Sequence, residues 1–234
     1  MEKFEFPGEL DYISPIKLID KENQDDFSSF FLILAMVFND LKSLIFVQKF
    51  VEDNYRKPEI DEISVQMGEW GGIMTHTNKL IVSTVNEFLI FLEKNKDITS
   101  SLRFSFLLKN LTKNEKANWT KIIDPNKDES SVISKIARIR SNVSFHYDHS
   151  KEELRRGFIR SFFGESKGIL QHKKAYFSLG RDMRTTRFFY ADAAVEDYAR
   201  SLLSEKDIKV VRSTIDTMNL TIQSLLSAYI KSVK

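Results

Sequence analysis

Between Asn23 and Tyr55 apolar side chains return every three or four positions, at Phe27, Phe30, Phe31, Leu34, Met36, Phe38, Leu41, Leu44, Ile45, Phe50 and Val51. No glycine or proline interrupts them before Pro58. Strands of globular proteins run to about 3–10 residues, so a repeat of this length and period predicts a helix. Asp25 and Asp26 fall in its first turn, where the helix dipole favours acids. The centre of the helix is apolar nearly all round, which suits an element central in a bundle or shared with a second subunit. Its most apolar stretch, Phe30 to Phe38, is nine residues long and runs straight into Asn39 and Asp40. A membrane span needs roughly 20 such residues, so we expect a buried helix, not an anchor, and no membrane partner.

The same period recurs along the chain. Helices are expected over 59–94, 101–109, 113–123, from a Ser130 or Ser131 cap to Tyr147, 151–163, 191–204 and 206–232. The 234 residues hold 19 Phe against 4 Pro and 8 Gly, a balance that suits long helices better than many short strands. Gly68, Gly71 and Gly72 sit inside the second long helix, where each costs about 1 kcal/mol relative to alanine. They mark a kink there, or a place where another helix comes close. The exception to the helical pattern is 172–190. There Ala175–Leu179 and Thr186–Tyr190 are rich in strand formers and are separated by Gly180-Arg-Asp, so a small β-hairpin is expected. Residues 1–14 read as an arm. The remainder, 15–234, reads as one all-α domain, a helical bundle of long antiparallel helices with that one hairpin.

Several function classes drop out. With no cysteine there is no disulfide, thiolate nucleophile or Cys-based zinc site, and a reducing, cytoplasmic setting is expected. Met1-Glu-Lys-Phe-Glu-Phe carries two acids and no apolar core, unlike a signal peptide. Glycine-rich phosphate loops, nucleophile elbows, kinase signatures and zincin motifs are missing from the sequence. The net charge of +2 hides an asymmetry: Lys135 to Arg187 holds thirteen Lys/Arg against five Asp/Glu, a local +8 that leaves −6 elsewhere. Such a stretch is either an anion-binding face or solvated helix surface.

Within it lies Arg140-Ser-Asn-Val-Ser-Phe-His146. On an α-helix Asn142 and His146, four apart, share a face, while Arg140 is about 120° away and reaches round with its long side chain. Arg fits a phosphate bidentately and keeps its charge, and His exchanges protons near neutral pH. The imidazole can deprotonate a ribose 2′-hydroxyl while the guanidinium stabilises charge on the phosphorus oxygens. No cofactor or metal is required. The competing reading makes His146 a satisfied helix-end histidine and pairs Arg140 with Glu152 or Glu153. A metal site at His146, Asp148 and His149 lacks a third or fourth ligand from elsewhere in the sequence.

Arg140-x5-His146 resembles the Arg-x(4–6)-His signature of the HEPN superfamily. The surrounding Ile139-Arg-Ser-Asn-Val-Ser-Phe-His-Tyr-Asp148 is similar to the Arg-Asn-Lys-x-x-Phe-His-Tyr form of some bacterial members. Here Ser141 follows the arginine directly and Asn142 comes one place later. Tyr147 adjoins His146, where some toxin members carry His-x-Tyr. The resemblance covers about ten residues, within a HEPN-like core at 24–163; the hairpin and the helices of 172–232 fall outside it. It implies an all-helical fold, a homodimer whose two signature helices share a cleft, and metal-independent endoribonuclease activity. Arg140 would stabilise phosphate, His146 act as acid and base, and Asn142 orient. RNA is the implied partner, with Arg138, Lys173, Lys174, Arg181, Arg184 and Arg187 as candidate nucleic-acid contacts. Phe177, Phe188 and other hairpin aromatics either stack bases or pack onto the bundle. The alternative is a non-catalytic helical interaction or dimerisation module.

Overall fold

The computed structural model describes residues 11–19, 22, 25–55, 64–123, 131–144, 151–163 and 174–234. It is an all-α chain. The helices are α1 (Pro15–Leu18), α2 (Asp26–Asn54), α3 (Val65–Lys94), α4 (Lys96–Thr99), α5 (Leu102–Lys109), α6 (Lys113–Ile123), α7 (Val132–Ile139), a π-helix at Arg140–Ser144, α8 (Lys151–Phe163), α9 (Phe189–Leu202) and α10 (Glu205–Val233). Several helix starts, but not those of α1, α4 and α9, are fixed by side-chain caps. Ser101 accepts from the Phe104 amide, and Ser131 accepts from the Ser134 amide. Thr112 and Glu115 cap each other's backbone N–H groups at the start of α6, and Ser204 and Asp207 do the same at α10. The Lys135 ammonium and this cap hold the Asp207 carboxyl down at about 2.

The chain forms two compact units, each assembled from separate stretches of sequence, with boundaries inside α2, α3 and α10. The first comprises Met1–Lys42, Glu87–Pro125 and Ser213–Lys234. Its core is aromatic. Phe30, Phe31 and Phe104 are 1% exposed or less, and the Phe31 ring stacks on Tyr229 at 4.2 Å between centroids. Phe104 meets Trp119 at 5.1 Å, and Leu34, Leu41, Met218, Ile222 and Leu225 fill in around them. The Tyr229 hydroxyl donates to the Leu18 carbonyl at 2.9 Å, so this buried phenol is satisfied.

The second unit comprises Ser43–Asn86 and Asn126–Arg212. Ile139 and Tyr198 form one buried cluster in it, with Val82, Leu154, Val195, Ala199, Leu202 and Leu203 packed against them. Helices α8 and α9 meet at Gly157, where a Cβ would overlap the Ala194 carbonyl oxygen. Gly157→Leu is therefore expected to force α8 off α9 and lower stability by about 1–3 kcal/mol. Gly71→Ala, whose Cβ would meet nothing within 4 Å, should instead stabilise by up to about 1 kcal/mol. Urea melts of the two variants give the comparison. Equal stability would contradict the close α8–α9 contact.

One expectation needs correction. No strand forms among the described residues, and the hairpin reduces to one antiparallel bridge between Ser178 and Arg187, which exchange backbone hydrogen bonds of 2.8 and 3.0 Å. Phe189 and Tyr190 begin α9 instead of ending a strand. Packing decides this: the Phe189 ring fills the space above Gly68, and Tyr190 meets Phe158 edge-on at 6.3 Å. Strand propensity is weak against such contacts. The apolar stretch of α2 is longer than the run Phe30–Phe38. An 18-residue window of it reaches a mean hydropathy of 2.0 with 28% of the window buried, so by length and composition it is apolar enough to cross a membrane. The nine-residue run understated it, because Leu44–Val47 resumes the apolar character after Asp40 and Lys42. Core helices pass the same test, and Phe30, Phe31, Leu34 and Leu41 are buried here.

Gly68 and Gly72 of α3 are explained by close approach, and Gly71 is not. A Cβ on Gly68 would overlap the Phe189 ring, and one on Gly72 would overlap the Arg187 guanidinium. The approaching residues are Arg187, just before α9, and Phe189, the first residue of α9.

Candidate functional site

The signature arginine stands at a change of helix type. Ser131 caps α7, whose Ile136 and Ile139 are buried, and the backbone then widens into the π-helix Arg140–Ser144. A π-turn bonds i to i+5, so the backbone from Arg140 to Ser144 departs from α-helical angular spacing. Arg140 and Asn142 are half-buried, and Ser141 is exposed. The Asn142 Nδ2 donates to the Tyr198 hydroxyl of α9 at 2.6 Å, beside the Ile139–Tyr198 cluster. Asn142 thus anchors the π-turn to α9. His146, Asp148 and His149 lie outside the described residues, as does Lys173. Glu152, one of the acids expected near Arg140, binds Arg156 one turn along α8.

The candidate RNA contacts divide in two. Arg138, Lys174 and Arg181 are exposed. Arg184 folds onto Asp182 at 2.7 Å, and Arg187 bridges Asp192 (2.9 Å) and Glu69 (3.2 Å). Burial works against the Arg187 charge, but its hydrogen bond to Asp192 and the charges of Asp192 and Glu69 outweigh that and raise its pKa. Its guanidinium is a structural clamp between α3 and α9. Elsewhere in the basic stretch, Lys135 pairs with Asp207 at 2.8 Å and Arg160 with Asp197 at 2.7 Å. Much of the local +8 is therefore met by acids outside 135–187.

Glu69, Asp192 and Tyr198 are the site residues that sequence reasoning missed. Gly72, one helical turn from Glu69, was the available signal for Arg187's approach; nothing in the sequence pointed to Tyr198. Two hollows open beside Arg187 and Asp192, of about 540 and 320 Å³, and Arg140 and Asn142 line neither. Among the described residues no group of three or more His, Cys, Asp or Glu is placed to hold a metal ion. No protein-family model, curated protein or solved structure matches this chain.

Proposed function

We propose that the chain is a HEPN-like RNA-binding protein, cytoplasmic and homodimeric, that cleaves RNA without a metal ion through Arg140 and His146. The long helices would form an antiparallel bundle, with the signature helices of two copies meeting at one cleft. The observation that carries this reading is the π-turn at Arg140–Ser144, tied to Tyr198 through Asn142 in an all-α chain. A π-helical turn is uncommon and occurs frequently at functional sites. His146 would take the 2′-hydroxyl proton as the oxygen attacks phosphorus, then return a proton to the leaving 5′-oxygen. Arg140 would stabilise the charge gathering on the phosphorus oxygens. Asn142, with an N–H already given to Tyr198, would hold the turn rather than touch substrate.

A second reading, the non-catalytic interaction module, is favoured by the exposed side of α2. Leu32 and Met36 are exposed in the first unit, and Phe46, Val47 and Phe50 in the second. The readings separate on the salt dependence of RNA affinity. Each phosphate contact on single-stranded RNA contributes about 0.7 to the slope of log K against log salt. Titration of a fluorescent single-stranded RNA between low and moderate salt should give a steep slope, shallower by about that amount in Arg181→Ala. Affinity that is absent, or flat with salt, favours the interaction module.

A further inference from the structure

The 320 Å³ hollow in the second unit is built from one face of α3 and the start of α9. Thr75, His76 and Lys79 follow Gly72 at spacings of three and four, which places them along one side of the helix. Arg187, Asp192 and Val195 supply the facing wall. The volume lies at the small end of the roughly 300–1,000 Å³ of small-molecule sites.

Its charges are unevenly matched. Arg187 forms one set with two carboxylates, Asp192 taking its Nε–H and Glu69 an Nη1–H. Lys79 is outside that set. It is half-buried and forms no salt bridge among the described residues, and Asp192 acts on it only at a distance. Burial without a contacting counter-ion disfavours the ammonium and lowers its pKa. An anion entering the hollow would remove that penalty. Asp192 opposes an anion, but its charge is already committed to Arg187 through a 2.9 Å bond.

We propose that this hollow binds the phosphate group of a small molecule, with Lys79 as its counter-charge and Thr75, His76 and the unused N–H groups of Arg187 as hydrogen-bond donors. Donors reaching in from two elements suit a tetrahedral oxyanion with several acceptor oxygens better than a planar carboxylate. The site does not depend on the RNA-cleavage reading. It lies next to that segment all the same, because Val195 both lines the hollow and packs on the Ile139–Tyr198 cluster.

Thermal unfolding of the full chain tests this at fixed ionic strength with inorganic phosphate, pyrophosphate, acetate or chloride. A bound ligand stabilises in proportion to log concentration above its Kd. We expect the melting temperature to rise with phosphate and pyrophosphate and not with acetate. Lys79→Gln should lose the rise, Lys79→Arg should keep it, and the exposed Lys209→Gln should behave as wild type. No rise in the wild type, or the same rise in Lys79→Gln, overturns the proposal. Should Lys79→Gln fail to fold, the ³¹P linewidth of phosphate mixed with wild type decides. Broadening that excess pyrophosphate reverses supports the site, and an unchanged linewidth overturns it.

Discussion

Replacing Phe104 by alanine is expected to cost about 3–5 kcal/mol and to lower the melting temperature by roughly 6–20 °C. Phe104 is fully buried, and its ring lies 5.1 Å from Trp119, 5.9 Å from Phe30, 6.1 Å from Phe31 and 6.5 Å from Phe27. Alanine removes the transfer free energy of the ring and leaves a hole bounded by four other rings. Those rings are held by further contacts: Phe30 stacks on Phe91 at 5.0 Å and Phe31 on Tyr229 at 4.2 Å. They cannot collapse inward without breaking these stacks, so the penalty belongs at the upper end for a large-to-small change. Phe104→Leu keeps much of the volume and should lose about a third as much. Denaturant unfolding followed by Trp119 fluorescence reads both. A Phe104→Ala protein as stable as Phe104→Leu would mean that the aromatic cluster is not the core of the first unit.

The helices were legible wherever one side chain pattern decided the matter. In α2 the apolar repeat runs from Phe27 to Val51, and Ser131 announces α7 as a cap. The limits of α6 and α8 follow from breaker and charge positions. The segment 186–190 was misread because its β-rich composition is a local signal, whereas the packing of Phe189 on Gly68 is not local. The two lie far apart in sequence, and neither residue type foretells the other. Gly68 and Gly72 did carry the information that something comes close to α3. They did not say that it would be a phenyl ring and a guanidinium.

The candidate site was legible in part for the same reason. Arg140 and Asn142 were picked out by residue type and spacing. The π-turn that carries them was not, since no side chain pattern marks a π-helix apart from an α-helix. Tyr198, which fixes that turn, lies 56 positions from Asn142. The bond between Arg187 and Glu69 spans 118 positions. Charge counting along a window therefore overstated the free basic surface. It counted Lys135, Arg160 and Arg187 as exposed cations and could not see Asp207, Asp197, Glu69 and Asp192 folding against them.

The second large effect concerns the chemistry. If His146 transfers the proton, His146→Ala should slow RNA cleavage by about 10²–10⁴-fold, the usual contribution of a positioned acid or base. Arg140→Ala should be impaired comparably through loss of charge stabilisation. Arg140→Ala removes no residue of the buried Ile139–Tyr198 cluster, so that variant should keep wild-type helicity. Attack by the 2′-hydroxyl leaves a 2′,3′-cyclic phosphate, which distinguishes this route from metal-activated hydrolysis by water. The most direct measurement is cleavage of RNA in EDTA by wild type and His146→Ala, with the new 3′ ends analysed. The account predicts cyclic-phosphate ends from the wild type and almost none from the variant. Equal cleavage by both proteins, or none by either, would contradict it.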